Sequence, residues 1–232
     1  MQWQKYKSLD YLCQTSAGSN SCVVLFHGYG ADAQDLASLS SVFDLSEPVD
    51  WFFPQGVFEV PIGPMMSGRA WFQLRVSDFE RLSKNQIEDS ALDNEVTSVL
   101  NRVAEWLNDL SKRYDQIYLG GFSQGAILVS HIFYRLRFRP NGLILYSGYL
   151  LHPSAFPIVP QEMRMPFYQS HGAQDGTLPI GGAQKLFDKL QELGLSGQWQ
   201  QFNGGHEIPM TVIKASNSFL NSQLALGAKS SS

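Results

Sequence analysis

Five consecutive residues, Gly121-Phe122-Ser123-Gln124-Gly125, set a serine between two glycines in a G-x-S-x-G pattern. The apolar run Ile117-Tyr118-Leu119-Gly120 precedes it. An apolar stretch containing Ala126, Ile127, Leu128, Val129, Ile132 and Phe133 follows it. Strand, sharp turn and helix are the setting in which this pattern exposes a hydroxyl for nucleophilic attack. The reason is steric. A serine on so tight a turn has strained backbone angles, and only small neighbours let the helix pass close to the strand. The N-terminus of that helix adds a favourable potential for a developing oxyanion.

A serine hydroxyl is a poor nucleophile until a base takes its proton. The chain has five histidines. His27 follows the first apolar run, and His131 lies inside the helix after Ser123. On this fold pattern the order is serine, acid, histidine, so the base must come after Ser123. His152, His171 and His206 qualify. Only His206 has two glycines before it, Gly204 and Gly205, and a final helix after it. The acid must lie between Ser123 and His206. Asp188 sits in a helical stretch between Lys185 and Lys189, and Glu162 in a proline-rich loop. Asp175 sits just beyond a strand in Ser170-His171-Gly172-Ala173-Gln174-Asp175-Gly176, at the sheet edge where open α/β folds bind ligands. Asp175 would hold the neutral imidazole tautomer and stabilise the imidazolium that forms. An oxyanion needs two backbone N–H donors. The residue after the nucleophile, Gln124, supplies one, and the His27-Gly28-Tyr29-Gly30 loop the other.

These residues must be positioned by strands and helices, and both are legible. Cys22-Val23-Val24-Leu25-Phe26 is wholly apolar, as in a strand buried on both faces. Trp51-Phe52-Phe53, Leu143-Ile144-Leu145-Tyr146, Pro166-Phe167-Tyr168-Gln169 and a last short strand over 199–202 are further candidates. Helices are expected over 31–43, 90–113, 124–136, 179–193 and 208–226. The second has apolar residues at helical spacing, with Ser90 as its cap. The glycine-, proline- and methionine-rich stretch 57–74 is expected to be a long irregular loop, of the kind that carries function. Alternating strands and helices predict an α/β fold: one mostly parallel sheet with helices on both faces. One domain over 1–226 and a frayed tail over 227–232 is the simplest organisation.

Composition narrows the function. Of 232 residues, 44% are hydrophobic and 16% charged, enough apolar material for a sizeable core. The net charge is −4 and no Lys/Arg run stands out, so a nucleic-acid partner is not expected. Cys13 and Cys22, on two strands expected to be adjacent, fit reduced thiols better than a disulfide or zinc site. There is no apolar leader-like segment and no run of about 18 apolar residues. The expected location is the cytoplasm.

His27-Gly28-Tyr29-Gly30-Ala31-Asp32, Arg69-Ala70-Trp71-Phe72, Gly121-Phe122-Ser123-Gln124-Gly125, His171-Gly172 with Asp175, and Gly205-His206 fall in order along almost the whole chain. Together they resemble the phospholipase/carboxylesterase family, which includes acyl-protein thioesterases and small bacterial carboxylesterases. The resemblance implies an α/β-hydrolase with no large cap domain. It also implies Ser123, Asp175 and His206 as a triad and the N–H groups of Tyr29 and Gln124 as the oxyanion hole. Tyr29 stands where the family often has leucine. The stretch 57–74 resembles the family's substrate-covering loop, with Met65, Met66, Trp71, Phe72 and Leu74 expected to line an acyl pocket. The substrate expected is a small acyl ester or lipid-like molecule, hydrolysed through an acyl-enzyme without metal or organic cofactor. Transient contact with a membrane or micelle, and a homodimer in which exposed Met and Trp side chains pair, are further expectations.

Overall fold

Wholly apolar segments make the centre of the sheet. The computed structural model describes residues 1–74, 81, 84 and 92–230. In it the strands Gln2–Tyr6 (β1), Leu9–Gln14 (β2), Ser21–Phe26 (β3) and Val49–Pro54 (β4) come first, followed by Phe58–Gly63 (β5) and Met66–Ala70 (β6). Then come Gln116–Phe122 (β7), Gly142–Tyr146 (β8), Pro166–Gly172 (β9) and Ser196–Phe202 (β10). Every residue of β3, β4 and β8 is buried. A strand buried on both faces has no solvent side to mark with polar residues, hence the apolar runs 22–26, 51–53 and 142–146. The buried Asp50 of β4 is an exception, its carboxylate accepting from Tyr114 Oη and the Ser16 N–H.

Eight strands form one sheet in the order β1-β2-β4-β3-β7-β8-β9-β10. All pairings from β4 to β10 are parallel. The β1–β2 and β2–β4 pairings are antiparallel. The polar edge strand β1, Gln-Trp-Gln-Lys-Tyr, gave no apolar signal because almost none of it is buried. Cys13 on β2 and Cys22 on β3 are buried and unpaired, with β4 between them, so they are not on neighbouring strands.

Helices cover both faces. They are Leu39–Val42 (α1), Asn94–Leu110 (α2), Gln124–Ile132 (α3), Ile180–Glu192 (α4) and Met210–Ser230 (α5). Leu100, Val103 and Leu107 of α2 pack with Val129 and Ile132 of α3 and Leu186 and Leu190 of α4 on one face. Val212, Phe219, Leu220 and Leu224 of α5 pack with Leu36, Leu39 and Phe43 on the other. Residues of β3 serve the two layers alternately: Val24 and Phe26 the first, Val23 and Leu25 the second. The described residues form one α/β domain around this sheet.

Several boundaries differ from expectation. Asp93, not Ser90, caps α2, its carboxylate accepting the Val96 N–H at 2.8 Å. Ser90 lies outside the described residues. Residues 31–43 are mostly successive turns, and only Leu39–Val42 is α-helical. Side chains compete with the helix there: Asp32 accepts the Gln34 N–H and Gln55 the Ala33 N–H. The stretch expected to be an irregular loop is a two-stranded antiparallel hairpin, β5–β6, separate from the main sheet. The helix α3 gives way to a 3-10 turn at Phe133–Arg135, and α5 runs on to Ser230.

Candidate active site

Ser123 sits where β7 turns into α3, with φ 54° and ψ −117°. Positive φ is costly for a residue with a Cβ and persists only where the surroundings enforce it. Here they do. The Ser123 N–H donates to Tyr146 O at 2.9 Å on the neighbouring strand. A Cβ on Gly125 would lie 1.9 Å from Phe26 O, and one on Gly121 2.5 Å from the backbone of Gly125. The two glycines of the motif are thus required by the contact of α3 with β3 and β7.

His206 and Asp175 arrive from the next strand ends. Asp175 follows β9, and His206 lies between β10 and α5. Their two loops are tied together, with Ala173 N–H on Phe202 O (2.8 Å) and Gln174 N–H on Gly204 O (2.9 Å). Gly172 permits this approach, because a Cβ there would meet Gly205 O at 2.1 Å. His206 Nδ1 stands 2.6 Å from Asp175 Oδ2, and His206 Nε2 stands 2.8 Å from Ser123 Oγ. A carboxylate can only accept, so Nδ1 carries the proton and Nε2 is left to accept from the hydroxyl. The imidazole also packs on the Phe122 ring, centroids 4.8 Å apart.

Asp175 is held by more than His206. Its Oδ1 accepts the Thr177 and Leu178 N–H groups, each at 2.8 Å. His171 Nε2 lies 3.3 Å from Oδ2 and 2.6 Å from Leu178 O. Both neighbours are acceptors, so this nitrogen carries a proton. Burial alone would raise the Asp175 pKa. Hydrogen bonds from His171, His206 and the Leu178 N–H outweigh it and hold the carboxyl well below the usual carboxylate range. Sequence reasoning weighed His171 only as a rival base. The structure instead puts it, fully buried on β9, against the acid. His152 begins a 3-10 turn and His131 is buried in α3.

The loop 28–31 borders the serine, since a Cβ on Gly28 would come within 3.3 Å of Ser123 Cβ. Strand β6 clamps this loop. Gly30 N–H donates to Arg69 O at 2.8 Å and Arg69 N–H to Ala31 O at 2.7 Å. A Cβ on Gly68 would lie 1.9 Å from Gly30 O. The Gln124 side chain closes the frame, accepting the Trp71 N–H (2.9 Å) and donating to Phe72 O (2.7 Å). Trp71 Nε1–H donates to His27 O at 2.9 Å.

A cleft of about 470 Å³ opens beside Ser123, Gln124 and His206. Phe72 and Leu74 line it, as do Tyr29, Ile127, Leu151 and Leu178. Three residues expected in the acyl pocket do not line it. Trp71 is fully buried behind it, and Met65 and Met66 are exposed at the hairpin tip. The tip turns at Met65, φ 58°, and directs both methionines outward. Leu151 and Leu178 escaped notice because they come from loops far apart in sequence. The rule that strand C-termini surround the site was the available signal.

A nucleophile-elbow serine within reach of a histidine and an aspartate, at the carboxyl edge of a mostly parallel sheet, defines the class: an α/β-hydrolase. The sequence model of the phospholipase/carboxylesterase family matches residues 13–224. The chain belongs to the phospholipase/carboxylesterase family, whose members are hydrolases acting on ester bonds. Acyl-protein thioesterase 1 homolog 1 of Dictyostelium discoideum is 27% identical over 63% of this chain and 66% of that protein. Acyl-protein thioesterase 1 of Emericella nidulans is 26% identical over 75% of this chain and 77% of that protein. Among solved structures, esterase PE8 superposes with a TM-score of 0.74 at 25% identity, covering 91% of this chain and 96% of the other.

Proposed function

We propose that the protein is a serine esterase that cleaves acyl esters, thioesters included, through an acyl-enzyme on Ser123. The observation that carries this is the unbroken line from Asp175 Oδ2 through His206 Nδ1 and Nε2 to Ser123 Oγ, at 2.6 and 2.8 Å. His206 takes the hydroxyl proton as Ser123 Oγ attacks the carbonyl carbon. The backbone N–H groups of Tyr29 and Gln124 receive the oxyanion. His206 then returns the proton to the leaving alcohol or thiol as the carbon–oxygen or carbon–sulfur bond breaks. Water repeats the cycle on the acyl-enzyme, releasing the acid. Asp175 stays ionised throughout, orienting His206 and stabilising its cationic form. Phe72, Leu74, Ile127, Leu151 and Leu178 supply an apolar wall for the acyl chain.

The relatives' names favour thioester substrates, and the exposed Ile62, Met65 and Met66 at the hairpin tip favour contact with a lipid surface or micelle. Two buried, unpaired thiols suit a cytoplasmic setting. The test is labelling by a fluorophosphonate probe together with steady-state hydrolysis of a chain-length series of nitrophenyl esters. Ser123→Ala is expected to abolish labelling. Ser123→Ala and His206→Ala are each expected to lower kcat by about 10⁶, as where a triad acts as a unit. Near-normal turnover by Ser123→Ala would reject the assignment.

A further inference from the structure

Asp35 lies on the wall of the same cleft as Ser123 and His206. It follows the loop 28–31 in the succession of turns that replaces a helix there, its N–H bonded to Asp32 O at 3.2 Å. No lysine or arginine is among the residues lining the cleft, so Asp35 is the one lining side chain of fixed charge among the described residues. Among the described residues no cation pairs with its carboxylate. Partial desolvation and the neighbouring Asp32 raise its pKa from the ordinary carboxylate value. An apolar cleft beside a nucleophile has no need of an unpaired carboxylate for folding. Asp35 is exposed to solvent, so its charge is open to a partner that enters the cleft.

We infer that Asp35 determines specificity, so that the enzyme favours esters carrying a cationic group over their uncharged isosteres. This rests on the ester-hydrolase reading above and names a substrate class for it. A trimethylammonium or ammonium group bound in the cleft supplies the missing partner. A neutral group of the same shape does not, and an anionic headgroup is repelled. Because Asp35 is exposed, the preference is about threefold, and salt weakens it. The cation belongs either to the alcohol side or to the acyl side of the ester, and two substrate pairs separate these cases. The first pair is butyrylcholine and the butyrate ester in which tert-butyl replaces trimethylammonium. The second is a nitrophenyl ester whose acyl chain ends in trimethylammonium, and its tert-butyl-ended isostere.

The readout is the cation-to-neutral ratio of kcat/KM, compared between the wild type and Asp35 variants so that intrinsic reactivity cancels. In at least one pair the ratio is expected to fall about threefold in Asp35→Asn, further in Asp35→Lys, and little in Asp35→Glu, which keeps the charge. The pair that responds tells which side of the ester carries the cation. Fluorophosphonate labelling of each variant reports whether its site is assembled. Equal ratios in the wild type and Asp35→Asn for both pairs would overturn the inference while leaving the esterase reading standing. A wild-type protein that turns over no member of either pair and takes no label would overturn both.

Discussion

Asp175 accepts four hydrogen bonds, and each oxygen has a distinct task. Oδ1 is spent on the Thr177 and Leu178 N–H groups, which fix the loop, while Oδ2 faces two imidazoles. An asparagine would keep the carbonyl oxygen for the loop and present its NH₂ to His206 Nδ1 and to the His171 Nε2–H. The first contact forces His206 into the other tautomer, with the proton on Nε2, where it cannot accept from Ser123. The second sets donor against donor in a buried place. Asp175→Asn is therefore expected to lower kcat about 10⁴-fold at neutral pH while leaving the fold in place. Initial rates on a nitrophenyl ester, with circular dichroism as the folding control, measure it, and a loss below tenfold would show that Asp175 does not set the tautomer. Ser123, Asp175 and His206 could be singled out in the sequence because a motif, a chain order and flanking glycines constrain each of them. His171 could not be given its place beside the acid. It lies four positions before Asp175, and only the turn after β9 brings its ring back onto Oδ2.

At the scale of elements, the β5–β6 hairpin is a brace rather than a loose cover. Its strand β6 holds the loop 28–31 by two backbone hydrogen bonds and by the close approach of Gly68 to Gly30 O. A methyl group on Gly68 has no room, and backbone cannot yield as a flexible side chain does. Gly68→Ala must push that loop away from Ser123, so its main cost falls on the transition state. Loss of one oxyanion donor is worth about 10²–10³ in kcat, and Gly68→Ala is expected to approach that range with a smaller change in KM. Gly63→Ala is the control. It lies in the same hairpin, its added methyl would stay 3.9 Å from the nearest atom, and activity should be unchanged. Equal kcat in the two variants would mean that the hairpin does not position the loop. This element was hidden in the sequence for physical reasons. Pro61, Gly63 and Pro64 break strand propensity. Within β5 and β6 only Val60 and Ala70 are buried, too few to write an apolar alternation. The antiparallel β1 escaped for the same reason, whereas the doubly buried strands of the centre were plain.

At the scale of the whole molecule, the two helix layers bury histidines that must stay neutral, and this couples stability to pH. His27 is 1% exposed, and its Nε2 accepts the Gly56 N–H at 2.9 Å while its Nδ1–H faces Gly28 O. His131, 3% exposed, donates from Nε2 to Leu151 O at 3.0 Å. Burial lowers the pKa of His27 to about 4 and that of His131 to about 3, against 6.5 for a free side chain. The unfolded chain therefore binds protons below pH 6.5 that the folded chain refuses, until the pH reaches the lowered values. Stability is complete above pH 6.5 and falls as the pH drops toward 4, by roughly 1.4 kcal/mol per pH unit for each histidine. Two such groups would remove about 5 kcal/mol by pH 4.5, comparable to the whole stability of many domains. Urea midpoints measured between pH 7.5 and 4.5 should fall steeply below pH 6.5. His131→Gln should be less stable at pH 7.5 yet lose stability with about half the slope, because one of the two titrating sites is gone. Its carbonyl partner, Leu151, lines the cleft, so acid should also blunt turnover before the chain unfolds globally. A wild-type midpoint unchanged between pH 7.5 and 5, or an identical slope in the variant, would show that these imidazoles do not govern the acid limit of the fold.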